Sequence, residues 1–168
     1  CLNNEIGMQH KEEEKKFVDM VRQYEAIIYK VTSFYANQSQ SISDLYQEVV
    51  LNLWKAYPSF RGESKLSTWI YRIALNTCIT FFRRTQKQPV YVDISMDISE
   101  VDTSNEDIKE LYRLINLLGK IERALILLYL DEKSYKEIAE ITGLSVTNVA
   151  TKLSRIKDKL RDMSDKDN

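Results

Sequence analysis

Apolar residues recur at steps of three and four along most of this chain, and that period commits it to helices. Phe17, Met20, Val21, Tyr24, Ile28, Val31 and Tyr35 fall on one face of a first long helix expected over about Glu12 to Tyr35. After the polar connector Ala36 to Ser41, a second helix is expected from about Ser43 to Tyr57, with Leu45, Val49, Val50, Leu53 and Trp54 inward. Pro58 should stop it, because proline lacks an N–H and crowds the preceding turn. Beyond the loop Ser59 to Lys65, Ser67 is a candidate N-cap for a third helix reaching about Arg84. Its apolar face holds Ile70, Ile73, Ala74, Thr77, Cys78 and Phe81. Only four Gly and two Pro occur in 168 residues, too little turn chemistry for a many-stranded β fold.

Between Gln88 and Ile108 there is no Lys or Arg, while Asp93, Asp97, Glu100, Asp102, Glu106 and Asp107 are acidic. The helical period stops and Pro89 breaks the chain, so 87–105 reads as a flexible acidic linker. Helical spacing resumes at Glu106. Leu111, Leu114 and Leu118 face one way, Gly119 fits a helix C-terminus, and a further helix takes Ile121, Leu125 and Leu128. The expected fold is all-α: two small helical domains, 8–86 and 106–168, joined by the linker, the C-terminal one a helix-turn-helix.

Several function classes drop out. A net charge of −1 excludes a bulk polyanion binder, so any nucleic-acid surface must come from local clusters of Lys and Arg. Cys1 and Cys78 are too few for a disulfide framework, and Cys78, in an apolar helical stretch, reads as a buried thiol. The opening CLNNEIGMQH lacks the basic-then-apolar pattern of a signal peptide, and no apolar run approaches the ~20 residues of a membrane span. A cytoplasmic protein is expected, with Met8 the candidate natural start and Cys1 to Gly7 an upstream addition. His10 is the one histidine, no nucleophile neighbours a base, and no Cys/His cluster is present, so neither enzyme chemistry nor a metal or other cofactor is expected.

Ser134-Tyr135-Lys136-Glu137 is a capping box, in which the Ser oxygen takes an amide hydrogen and the Glu reaches back to the cap amide. A short helix through Ile138, Ala139 and Ile141 ends at Gly143, suited to a left-handed turn. Leu144 fills the corner and Ser145 caps the next helix. There Val149, Leu153, Ile156 and Leu160 form the buried face, while Thr147, Asn148, Thr151, Lys152 and Arg155 lie opposite. Lys152, Arg155, Lys157, Lys159 and Arg161 meet one acid, Asp158, between Ser145 and Arg161. Such a unit can seat its second helix in the major groove, with polar side chains on base edges and cations on phosphates. The plainer reading is a helical hairpin with a solvated charged face.

The third helix carries Trp69, Tyr71, Arg72, Asn76, Arg83 and Arg84 close to the loop residues Phe60, Arg61, Ser64 and Lys65. Aromatic rings beside cations suit unpaired DNA, where bases stack and Arg holds the backbone. Core positions for Trp69 and Tyr71, and a solvated C-terminus for Arg83 and Arg84, are the alternatives. On the second helix Asp44, Gln47, Glu48 and Asn52 share a face opposite the apolar stripe. Carboxylates at a helix start need no partner to be there, but the face could also dock an Arg-rich one.

Asp44-Leu45-Tyr46-Gln47-Glu48-Val49, Leu53-Trp54, Phe60-Arg61-Gly62-Glu63-Ser64 and Ser67 through Asn76 together resemble the second conserved region of bacterial sigma factors. Ser134 through Ala139, Gly143-Leu144-Ser145 and the helix to Arg161 resemble their fourth region, and the lack of other regions resembles the compact extracytoplasmic-function group of the sigma-70 family. The resemblance implies a non-enzymatic factor that binds core RNA polymerase, recognises promoter DNA and starts transcription. It implies docking by Asp44, Gln47, Glu48 and Asn52 on the polymerase clamp helices, contact of the C-terminal domain with the flap, and an anti-sigma protein as a further partner. It places Phe60, Arg61, Ser64 and Lys65 on an extruded base of the downstream promoter element, with Trp69, Tyr71, Arg72, Asn76, Arg83 and Arg84 along the strand-opening face. Thr147, Asn148, Thr151, Lys152 and Arg155 would read the upstream element. Ala150 and Lys152 depart from the Lys and Arg that many relatives carry there, which leaves the DNA sequence read open. Two rivals are a helix-turn-helix regulator that works without polymerase and a helical interaction protein with no DNA role.

Overall fold

The structure, a computed structural model, describes residues 2–37, 40–85 and 106–166, with the backbone alone for 2–4 and 83–85. Its elements are α1 (Leu2–Gln23), α2 (Glu25–Tyr35), α3 (Ile42–Ala56), a 3-10 turn (Tyr57–Ser59), α4 (Leu66–Thr85), α5 (Glu106–Asn116), α6 (Lys120–Leu130), α7 (Tyr135–Thr142) and α8 (Val146–Lys166). The all-α expectation holds: among the described residues the extended pairing is a single bridge between Asn37 and Gln40. The expected linker lies outside the described residues.

The expected first helix is in fact two. Tyr24 leaves helical geometry at φ −110°, ψ 15°, and no Gly or Pro announces the break. The change of direction lets Phe17 meet Trp54 and Tyr57 edge-on, at 4.9 and 5.4 Å between ring centroids. α2 meanwhile runs through the core, burying Ile28, Val31, Phe34 and Tyr35. Residues 5–16 of α1 are exposed throughout.

α2, α3 and α4 pack on one another around Leu45, Val49, Leu53, Ile70, Ala74 and Cys78. Two expectations change here. Ser67 lies inside α4, which starts one residue earlier at Leu66. Trp54, expected inward, keeps 39% of its surface exposed and uses one edge on Phe17. In the second domain α8 packs on α6 and α7, burying Leu125, Leu128, Ile138, Val149, Leu153 and Ile156. Gly119 is not a left-handed helix end. Its φ is −68°, and it stands at the N-cap of α6. Ile121 points out, at 41% exposure.

The two domains share one continuous apolar core. α4 lies against α6 and α7, and α2 against α6. Phe34 meets Tyr112 edge-on at 5.5 Å, and the Tyr35 hydroxyl donates to the Lys120 carbonyl at 2.5 Å. Arg123 is buried, and donates to the carbonyls of Asn116 at 2.6 Å, Leu118 at 3.0 Å and Phe34 at 3.3 Å. Its guanidinium also covers the Phe82 ring at 4.8 Å. A buried charge survives only when its donors are met, and here backbone oxygens from both domains meet them.

Candidate nucleic-acid interface

The helix-turn-helix forms as its local chemistry dictates. The Ser134 hydroxyl accepts from the Glu137 N–H at 3.1 Å, and the Glu137 carboxylate accepts from the Ser134 N–H at 2.8 Å. That backbone bond holds the Glu137 carboxyl below its usual pKa. Gly143 takes φ 77°, a left-handed conformation that side chains resist. Ser145 then caps α8 by accepting from the Asn148 N–H at 3.1 Å.

α8 turns Val149, Leu153 and Ile156 into the core and leaves Thr147, Asn148, Thr151 and Arg155 exposed, with Lys152 half-buried between them. The five cations from Lys152 to Arg161 separate into two sets. Lys157 sits over the Tyr129 ring at 3.9 Å, Lys159 pairs with Glu122 at 3.1 Å, and Arg161 pairs with Asp158 at 3.4 Å. Lys152 and Arg155 make no ion pair among the described residues, and Arg155 is exposed. The Thr151 hydroxyl donates to the Thr147 carbonyl at 3.0 Å.

In the first domain the Phe60 and Trp69 rings lie 4.9 Å apart, tilted by 41°. Arg61 and Lys65 are exposed beside them, Ser64 is half-buried, and Gly62 allows the loop its φ of 71°. Trp69, Arg72 and Asn76 follow at steps of three and four, one stripe of α4. Tyr71 does not share that stripe. Two positions from Trp69, it points to the other side and is fully buried. Its hydroxyl donates to the Asp131 carboxylate. Burial, with Asp131 beside it, pushes the Tyr71 pKa far above its ordinary value, so the proton stays on. Arg72 reaches across to the second domain, donating from Nε and Nη2 to the Glu140 carbonyl at 2.9 and 2.6 Å. Arg83 and Arg84 fall on the last turn of α4, their side chains outside the described residues.

Asp44 and Gln47 are exposed on α3, with Glu48 half-buried, and no ion pair engages either acid among the described residues. Asn52 turns away from them: its amide donates to the Thr77 hydroxyl of α4 at 2.9 Å. Leu51, 44% exposed, takes its place, three residues from Glu48 and four from Gln47. That helical spacing was the available signal for Leu51. The contacts of Asp131 had none, since its partners lie 60 and 101 residues away.

Among the described residues no group of three or more His, Cys, Asp or Glu could hold a metal ion, and no helix is long and apolar enough to cross a membrane. What the surfaces offer is binding: a polar and cationic helix face, an aromatic and cationic loop with its helix, and an acidic face with apolar neighbours.

Comparison with known proteins matches residues 20–88 to the Sigma-70 region 2 family and residues 108–160 to Sigma-70, region 4, together more than half of the chain. The ECF RNA polymerase sigma-E factor of Haemophilus influenzae is 29% identical over 163 residues, covering 87% of this chain and 86% of that protein. The RNA polymerase sigma factor YlaC of Bacillus subtilis is also 29% identical, covering 92% of this chain and 93% of that one. Among solved structures, the sigma factor RpoE of Bartonella quintana, crystallised with the anti-sigma factor NepR, superimposes with a TM-score of 0.74 at 21% identity, over 92% of this chain and 99% of that one. CnrH, in complex with the cytosolic domain of CnrY, gives 0.68 at 18% identity, over 92% of this chain and 91% of that one.

Proposed function

The chain belongs to the sigma-70 family, in its extracytoplasmic-function group, and is an RNA polymerase sigma factor; from that premise we propose how its surfaces divide the work. Residues 8–86 bind core polymerase and open the duplex, 87–105 join the halves, and 106–168 choose the upstream element and meet the flap. Asp44, Gln47 and Glu48 dock on the clamp helices, with Leu51 and Trp54 adding apolar area beside them. Phe60, Arg61, Ser64 and Lys65 hold an extruded base. Trp69, Arg72 and Asn76 line the opening strand, with Arg83 and Arg84 on its phosphates. Thr147, Asn148, Thr151, Lys152 and Arg155 read the upstream element. The protein acts in the cytoplasm and by binding, not by catalysing a reaction. An anti-sigma protein is a further partner, a reading supported by the complex of the solved neighbour RpoE with the anti-sigma factor NepR.

Strand opening is then driven by contact energy. Extruding a base costs a few kcal/mol, and stacking returns ~1–3 kcal/mol per base. The Phe60–Trp69 pair supplies the ring surface, and polymerase supplies the remaining grip.

One observation carries the reading: a single chain pairs an uncommitted reading face on α8 with an unpaired acidic face on α3. A helix-turn-helix regulator working alone has no use for the second. The test is reconstituted transcription with core polymerase on a promoter library, together with Glu48→Lys. The variant should lose core capture in a pull-down and keep its circular dichroism. Full core binding by the variant would refute the docking face.

A further inference from the structure

The α6–α7 turn reaches the side of α4 next to the strand-opening stripe. Asp131 ends α6, its N–H bonded to the Leu127 carbonyl at 3.0 Å. Glu132 follows at φ 58°, left-handed for a residue with a Cβ, and the Lys133 N–H closes the turn on the Leu128 carbonyl at 3.1 Å. A non-glycine residue in that region is held there by its surroundings. The turn aims the Asp131 carboxylate at the first domain, where the Lys30 ammonium of α2 donates to one oxygen and the Tyr71 hydroxyl of α4 to the other. The Lys133 ammonium lies 5.6 Å over the Tyr71 ring. Next to Tyr71, Arg72 spends two donors on the Glu140 carbonyl of α7.

These contacts differ from the core on either side of them. Lys30 and Asp131 keep 41% and 21% of their side-chain surface in solvent, so water can replace each bond as it breaks. Polar contacts between domains of this kind are typical of surfaces that separate. Arg72, proposed above to hold the opening strand, has two of its five N–H donors tied to α7, which is itself half of the helix-turn-helix and fixes where the guanidinium sits. One contact set thus engages both DNA-binding halves.

We propose that the free chain is closed on itself: Asp131, latched to Lys30 and Tyr71, seats the α6–α7 turn and α7 against α4 and occupies Arg72, so that promoter opening requires the second domain to move away. The inhibitory half of this proposal rests on the strand-opening reading of α4; the closure does not.

The test uses the full chain with Cys1→Ser and spin labels at Ala26→Cys and Asp165→Cys, two exposed positions outside every surface assigned above. Cys78 is buried and takes no label. Electron–electron resonance without DNA or polymerase should give one narrow distance population. Asp131→Lys faces Lys30 and Lys133 with a like charge, and should raise the long-distance population at least ~5-fold, the lower end of ordinary coupling between sites. Asp131→Asn should raise it less, and covers the case in which the lysine variant fails to fold. Adding Lys30→Glu to Asp131→Lys should restore the narrow distribution. The opened variant should also form open promoter complexes with core polymerase severalfold faster than the parent. A broad distribution in the parent, or a narrow one indifferent to both Asp131 changes, overturns the closure. Longer distances without faster open-complex formation overturn the inhibitory role. Trp69→Ala forming open complexes at the parental rate would instead overturn the strand-opening reading and leave the distances to judge closure alone.

Discussion

Arg155 and Lys159 stand one helical turn apart on α8 and read alike as basic residues of a recognition helix, yet only one of them has its donors free. Lys159 is paired with Glu122, and an exposed pair of that kind contributes little to stability. Arg155→Ala should therefore weaken upstream-element binding by roughly 1–3 kcal/mol, while Lys159→Ala leaves it within a factor of two or so. A fluorescence titration at fixed salt compares them, and equal losses would remove Arg155 from the reading set. The exposure of Thr147, Asn148 and Arg155 was legible because helical phase alone separates them from Val149, Leu153 and Ile156. The same phase rule argues against grouping Tyr71 with Trp69, since residues two apart do not share a face. Arg123 was not legible. A cation in the stretch from Ile121 to Leu128 says nothing of the three carbonyls it meets, one of them 89 residues away.

At the level of elements, legibility followed hydrogen bonds that close within four residues. The Ser134–Glu137 box and the Ser145 cap are short-range, so residue order suffices to state them. Gly143 was equally plain. Gly119 carried the same signal and fills the opposite role, as glycine also serves at the N-cap. The break at Tyr24 carried no signal, being set by where Phe17 must pack. Ser134→Ala removes one half of the box and should cost ~1 kcal/mol, read as a lower midpoint in urea with an unchanged slope. An unchanged midpoint would mean that packing of Ile138 and Ile141 alone sets the start of α7.

At the level of the molecule, the order of the two regions along the chain was readable, but their seating on each other was not. It depends on Tyr35, Tyr71, Arg72, Arg123 and Asp131, whose partners across the boundary no local pattern pairs. α1 has a different consequence. Among the described residues, its positions 5–16 rest on nothing but their own backbone ladder and one ion pair, Glu12 with Lys16 at 3.1 Å. An isolated helix shorter than ~12–15 residues is marginal in water, so this tip should fray and re-form while the body stays intact. Amide deuteration should then reach 5–13 orders of magnitude sooner than Ile28 or Leu53, and protection equal to theirs would mean that something covers the tip in solution. A protease that cut within this tip would leave every surface assigned to polymerase and promoter on the trimmed protein.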